Sequence, residues 1–179
     1  RPSMTALVPV FDGHNDIVLK IAAAGDKRDR LWLHGEGAGH LDLPRMLASG
    51  FAGGFFAVYI SSRDFEDLDA MDQGMDTPPY DFPLPALIDH TAAQPVAVEM
   101  LGHLLWMERA SQGRFRWCLT AGEIRAALAA GVVAGVIHFE GAEAIGPDLD
   151  ALHLFQQRTH VVGVAFFVAE LGAVVGRVH

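Results

Sequence analysis

A single cysteine, Cys118, stands among 179 residues, so no internal disulfide can cross-link this chain. Nothing beside it has the makings of a nucleophile, and its place in the short run Phe115 to Leu119 reads as a buried, inert thiol. Cationic side chains are scarce too: 13 Lys and Arg stand against 22 Asp and Glu, for a net charge of −9. With no basic run and no Lys/Arg patch interleaved with aromatics, nucleic acid and anionic membrane surfaces are not expected partners. No apolar stretch reaches the ~18 to 20 residues of a membrane span, so none is expected. The chain begins at Arg1 with no charged-then-apolar leader, which reads as a targeting segment removed or never there. These absences leave the compartment open, with a cytoplasmic setting preferred.

What the chain has in quantity is apolar surface. With 51% of its residues hydrophobic and no low-complexity segment or linker, residues 1–179 are expected to bury a core as a single domain.

The organising stretch is Val8 to Asp16, an apolar run of strand character that stops at Gly13 and then presents His14 and Asp16. If the backbone stays extended, side chains two apart fall on one face, so an imidazole nitrogen and a carboxylate oxygen converge beyond the strand end. Such a pair suits a zinc-class metal. The bland alternative is that Asp16 caps the following helix and His14 is a polar loop residue.

Further along, Ile17 to Ala24 reads as a short helix, and the charged run Asp26 to Arg30 as a solvated loop. The segment Leu33 to Leu41 is expected to be a flexible surface loop, able to edge a site through His34, Glu36 or His40. Asp42 should cap a helix over Leu43 to Ser49. Gly53 to Ile60 is apolar on both faces, as in a strand covered on both sides. The acidic, proline-rich stretch Ser61 to Asp89 is long for a connection and reads as a functional or decorating loop. A helix is expected from Thr91 to about Ala110, with Pro95 near its start, and another from Ala121 to about Ala130 behind the capping box Thr120 to Glu123. Val132 to Phe139 then forms a second buried strand ending in His138-Phe139-Glu140-Gly141, followed by a helix over Pro147 to Gln157. Strand, polar strand end, loop and helix recur in the order of βα units, whose chemistry sits at the carboxyl ends of the strands.

Four ordered motifs, D-G-H-N-D at Asp12 to Asp16, L-D-L-P-R at Leu41 to Arg45, G-G-F-F-A-V-Y at Gly53 to Tyr59 and H-F-E-G-A-E-A-I at His138 to Ile145, resemble the membrane (renal) dipeptidase family of zinc peptidases. The resemblance implies an α/β fold, a TIM-like (β/α)8 barrel with two zinc ions at the carboxyl ends of its strands. It also implies hydrolysis of dipeptides by a water or hydroxide shared between the metals. Carried over by position, His14 and Asp16 look like ligands of one zinc, and Glu140 like the catalytic carboxylate bridging both. A glutamate at a buried strand end is costly to leave ionised without a cation, which agrees with that role. The family does not use the position of His138 as a ligand, so His138 either lines the site or is a satisfied polar residue.

In the family the remaining ligands are histidines on later strands, with an arginine and an aspartate for substrate beyond them. A (β/α)8 barrel needs about 250 residues, so this chain corresponds to roughly the first half of one. Its tail, residues 156–179, departs from the family pattern, and His153, His160 and His179 are not assigned as ligands. The resulting expectation is a zinc-dependent dipeptidase, incomplete in this chain. The alternatives are a catalytically inactive fragment, or a related metal-dependent amidohydrolase acting on a non-peptide amide. Half a barrel leaves sheet edges unpaired, so homo-oligomers through those edges are expected.

Overall fold

The computed structural model describes residues 8–37, 39–61, 74, 76, 78–79, 86–159 and 163–165. The opening apolar run forms β1 (Val10–Asn15), which does not stop at Gly13 but stays extended through His14. Asp16 then turns the chain into α1 (Ile17–Ala24), whose Ile17, Val18 and Ile21 are buried along one stripe.

The charged run Asp26 to Arg30 is helical, where a solvated loop was expected: a 3-10 turn (Gly25–Lys27) leads directly into α2 (Arg28–His34). The anchor is Trp32, fully buried, whose indole N–H donates to Ser111 Oγ at 2.9 Å. Arg28 lays its guanidinium 4.4 Å over the Trp106 ring, while Asp26, Lys27, Asp29 and Arg30 stay exposed. One aromatic seated in the core thus holds a segment whose charges alone read as a loop. Leu33 and His34 belong to this helix, so the irregular segment expected from Leu33 begins at Gly35.

Helix α3 (Leu43–Ser49) starts where expected, with the Asp42 carboxylate accepting the Arg45 N–H at 2.8 Å. Strand β2 (Phe51–Tyr59) follows, its Phe56, Ala57 and Val58 all buried, as a strand covered on both faces requires. The loop reading of segment 61–89 lies mostly outside the described residues. Helix α4 (His90–Ala110) is capped by Asp89, which accepts the Thr91 N–H at 2.8 Å, and it buries Ala93, Ala97, Met100, Leu104 and Met107 at helical spacing. Pro95 falls in its second turn, where the missing N–H leaves the Thr91 carbonyl without its helical donor.

After β3 (Phe115–Trp117), the capping box forms as expected. Glu123 N–H donates to Thr120 Oγ1 at 3.2 Å and Thr120 N–H donates to Glu123 Oε2 at 3.1 Å, opening α5 (Ala121–Ala129). Strand β4 (Val133–Glu140) is buried along all but its last residue. Helix α6 (Asp150–Thr159) starts later than Pro147, because Leu149 sits at φ 63° and Asp148 Oδ1 accepts the Asp150 N–H at 3.2 Å. A short β5 (Gly163–Ala165) closes the described part.

Every strand pairing is parallel, in the order β1-β2-β4-β3. Strand β2 runs beside β4 from Gly53↔Ala134 to Tyr59↔Glu140. On β4's other edge, β3 takes Val133 to Gly135 and β5 takes His138 to Glu140. The expected parallel α/β architecture is therefore present, and the carboxyl ends of β1, β2 and β4 lie side by side. Beneath them Trp32, Phe56, Phe115 and Trp117 pack edge to face with centroids 4.7–5.3 Å apart. Cys118, next to this cluster in sequence, is 3% exposed, and burial pushes its thiol pKa up, as an inert thiol requires.

Candidate metal centre

The register of β1 against β2 slips between Asp12↔Gly54 and Asn15↔Phe56: β1 advances by one residue more than its partner. A bulge at the end of a strand re-aims the side chains that follow it, and here it directs His14 away from the β1–β2 ladder toward β4. Asp16, the residue at the head of α1, makes no side-chain capping hydrogen bond, so its carboxylate is not spent on the helix.

The result is a convergence of three side chains from β1, its exit and the end of β4. His14 Nε2 lies 3.4 Å from Asp16 Oδ1 and 3.4 Å from Glu140 Oε2. One ligand atom from each of the three falls within 4.8 Å of the others. The side chains are 40%, 50% and 21% exposed for His14, Asp16 and Glu140, so the cluster opens to solvent on the Asp16 side and is closed on the β4 side. One imidazole nitrogen and two carboxylate oxygens at this spacing form a donor set for a divalent zinc-class ion, whose charge would offset both carboxylates. Among the described residues this is the one group of His, Cys, Asp and Glu that can hold a metal.

His138, on the same face of β4, is 9% exposed and meets the His14 ring edge to face at 5.4 Å and the Phe55 ring at 6.2 Å. It touches the cluster through its ring and does not join the convergent donor atoms. Of the three residues on the α2–α3 segment, His34 closes α2 and Glu36 pairs with Arg30 at 3.0 Å. His40 lines a cavity of about 170 Å³ with Asp16, Ile17, Lys20 and Leu41, and so reaches the border of the cluster.

Two residues around the centre escaped the sequence reading. Tyr59, opposite Glu140 in the register, has its phenol pKa raised by burial first and then by the negative charges of Glu140, Glu143 and Asp16. Glu143 folds its carboxylate back onto Gly141, and its Oε2 is buried with no hydrogen-bond partner among the described residues. Both stand inside quoted motifs, but neither has a spacing that singles it out.

The family model of the membrane dipeptidases, peptidase family M19, matches residues 3–168. The chain belongs to the membrane dipeptidase family. A solved relative, the metallo peptidase from Rhodobacter sphaeroides liganded with a phosphinate mimic of the dipeptide L-Ala-D-Ala, is 56% identical, with a TM-score of 0.81 over 84% of this chain and 43% of that one. The probable dipeptidase PvdM from Pseudomonas aeruginosa shares the fold at 19% identity, with a TM-score of 0.61 over 88% of this chain and 33% of that one. A curated relative, an uncharacterized protein in the PQQ-III 3' region of Acinetobacter calcoaceticus, is 29% identical over 153 residues, 84% of this chain and 46% of its own length. The chain thus spans less than half the length of these relatives. Its parallel β/α alternation is that part of the TIM-like barrel of membrane dipeptidases, a family of metallopeptidases.

Proposed function

We propose that this chain carries the first half of the catalytic barrel of a zinc-dependent dipeptidase, and that His14, Asp16 and Glu140 are its share of a two-zinc centre. The observation that carries this reading is the meeting of the three donor groups at the carboxyl ends of β1 and β4. In βα architectures that end of the sheet is where catalytic groups gather. The substrate class, a dipeptide, is supported by the 56% identical relative, which holds a dipeptide mimic. That ligand favours a peptide bond over the non-peptide amide of a related amidohydrolase.

Zinc bound here would supply an acidified water as nucleophile and polarise the scissile carbonyl. The chain's own residues do the rest. His14 offers Nε2 as the nitrogen donor, and the β1 bulge aims it. Asp16 and Glu140 bring the two negative charges that make a divalent ion favourable at this point. Glu140, the least exposed of the three, sits between β2 and β5 in the sheet, where its backbone is held on both edges. His138 packs edge to face on the His14 ring and is itself backed by the Phe55 ring.

Three protein ligands suit one tetrahedral site with an open position, and a second ion requires further donors. The test compares two chains on one dipeptide, with and without chelator: the 179 residues alone, and a chain lengthened through the later family histidines. Chelator-sensitive hydrolysis is expected of the longer chain only. Turnover by the short chain would mean that its own residues complete the second site, and a lack of turnover by both would remove the dipeptidase reading.

A further inference from the structure

Between His14 on β1 and Asp16 at its exit stands Asn15, 6% exposed and therefore hidden from the solvent that reaches its neighbours on either side. Its Nδ2 donates to Asp12 Oδ2 at 3.0 Å and to the Phe55 carbonyl at 3.1 Å. Both partners are pure acceptors, so the amide orientation is decided by chemistry: the nitrogen must face them. The remaining oxygen, Oδ1, is buried with no hydrogen-bond partner among the described residues. A buried acceptor left unpaired opposes folding, so this amide contributes through its two donors.

Those donors act where the strand pairing lapses. The β1–β2 register slips between Asp12 and Asn15, and the bond from Asn15 to the Phe55 carbonyl spans the two strands at that point. The second donor bond ties the same residue back to Asp12, whose other carboxylate oxygen accepts the His14 N–H at 3.4 Å. Asp12 can lie there because Gly54 has no side chain: a Cβ on Gly54 would come within 2.8 Å of the Asp12 Cβ. The backbone of His14 is thus bracketed on both sides by one connected set of hydrogen bonds.

We propose that Asn15 is a positioning residue for the metal centre: its amide clamps the bulged end of β1 to β2 and to Asp12, and so aims His14 and Asp16 at Glu140. The proposal rests on the metal reading of those three residues for its purpose, but the clamp itself is measurable without metal.

The experiment uses the 179-residue chain, cobalt(II) as the probe, and the variants Asn15→Leu and Asp12→Asn. The first keeps the size, adds no charge and loses both donors; the second retains an acceptor for only one of the two bonds that Asp12 now takes. Cobalt affinity and the ligand-field bands of the bound ion are recorded, with hydrogen exchange of the His14 amide in the metal-free chain. Asn15→Leu is expected to weaken cobalt about ten- to a hundredfold and to shift the bands, as loss of a group orienting metal ligands does. Asp12→Asn should act in the same direction by less, and serves alone if the first variant does not fold. Unchanged affinity and bands in folded variants, even with a lower melting temperature, would overturn the proposal. If the unaltered chain binds no cobalt, the metal reading falls, and the clamp is judged on exchange: faster exchange at His14 in the variants supports it, and equal exchange overturns it.

Discussion

Replacing Glu140 with glutamine keeps the shape of the side chain and removes one negative charge from the centre. The carboxylate is about four-fifths buried and its Oε2 stands 3.4 Å from His14 Nε2, so an ion held by both has that charge at contact distance. Two unit charges 4 Å apart interact by about 4 kcal/mol at an effective dielectric near 20 and by about 1 kcal/mol in water. A divalent ion doubles both figures, so the loss lies between about 2 and 8 kcal/mol, and the open Asp16 side of the cluster pulls it toward the lower end. Two kcal/mol corresponds to about thirtyfold in a dissociation constant, which sets the least effect expected of Glu140→Gln. His138→Ala removes no donor atom. It costs the edge-to-face contact with His14, about 0.5–1.5 kcal/mol, of which only the part that orients the imidazole reaches the metal, so less than about tenfold is expected. Calorimetric titration of zinc into both variants at matched protein concentration checks the order. Equal losses, or the larger loss in His138→Ala, would refute the assignment of Glu140 as the principal charge at the centre.

Strand β1 ends the sheet and pairs only with β2 among the described residues, leaving Val8 78% and Val10 54% exposed. The 179-residue chain should therefore self-associate through that edge, with a mass by light scattering that rises with concentration; a cooperative monomer at all concentrations would refute this. Cys118, 3% exposed with its thiol pKa raised by burial and then by Glu123, should resist an aromatic disulfide reagent at neutral pH until the chain is unfolded, and prompt stoichiometric labelling of the native chain would contradict that burial.

Much of this molecule is written in local patterns. The caps at Asp42 and Thr120, the strand-length apolar runs that became β2 and β4, and the alternation of strand and helix depend on residues within a few positions of one another. A short stretch of chain suffices to reveal them. His14 and Asp16 were legible as a polar pair two residues apart at the end of an apolar run, and Glu140 through the resemblance of its motif, with which the cost of an ionised carboxylate at a buried strand end agrees. Their meeting was a matter of tertiary structure. It required β2 to lie between β1 and β4, and it required the slip after Asp12, which comes from how β1 and β2 fit together and not from either strand alone. The helicity of Asp26 to Arg30 was decided in the same way, since Trp32 finds its hydrogen-bond partner Ser111 far along the chain. Tyr59 and Asn15 join the site through register with other strands. Periodicity and capping are local and can be read in order. Register, burial of a single aromatic and the approach of distant carboxylates are set by packing between elements, which only the assembled sheet determines.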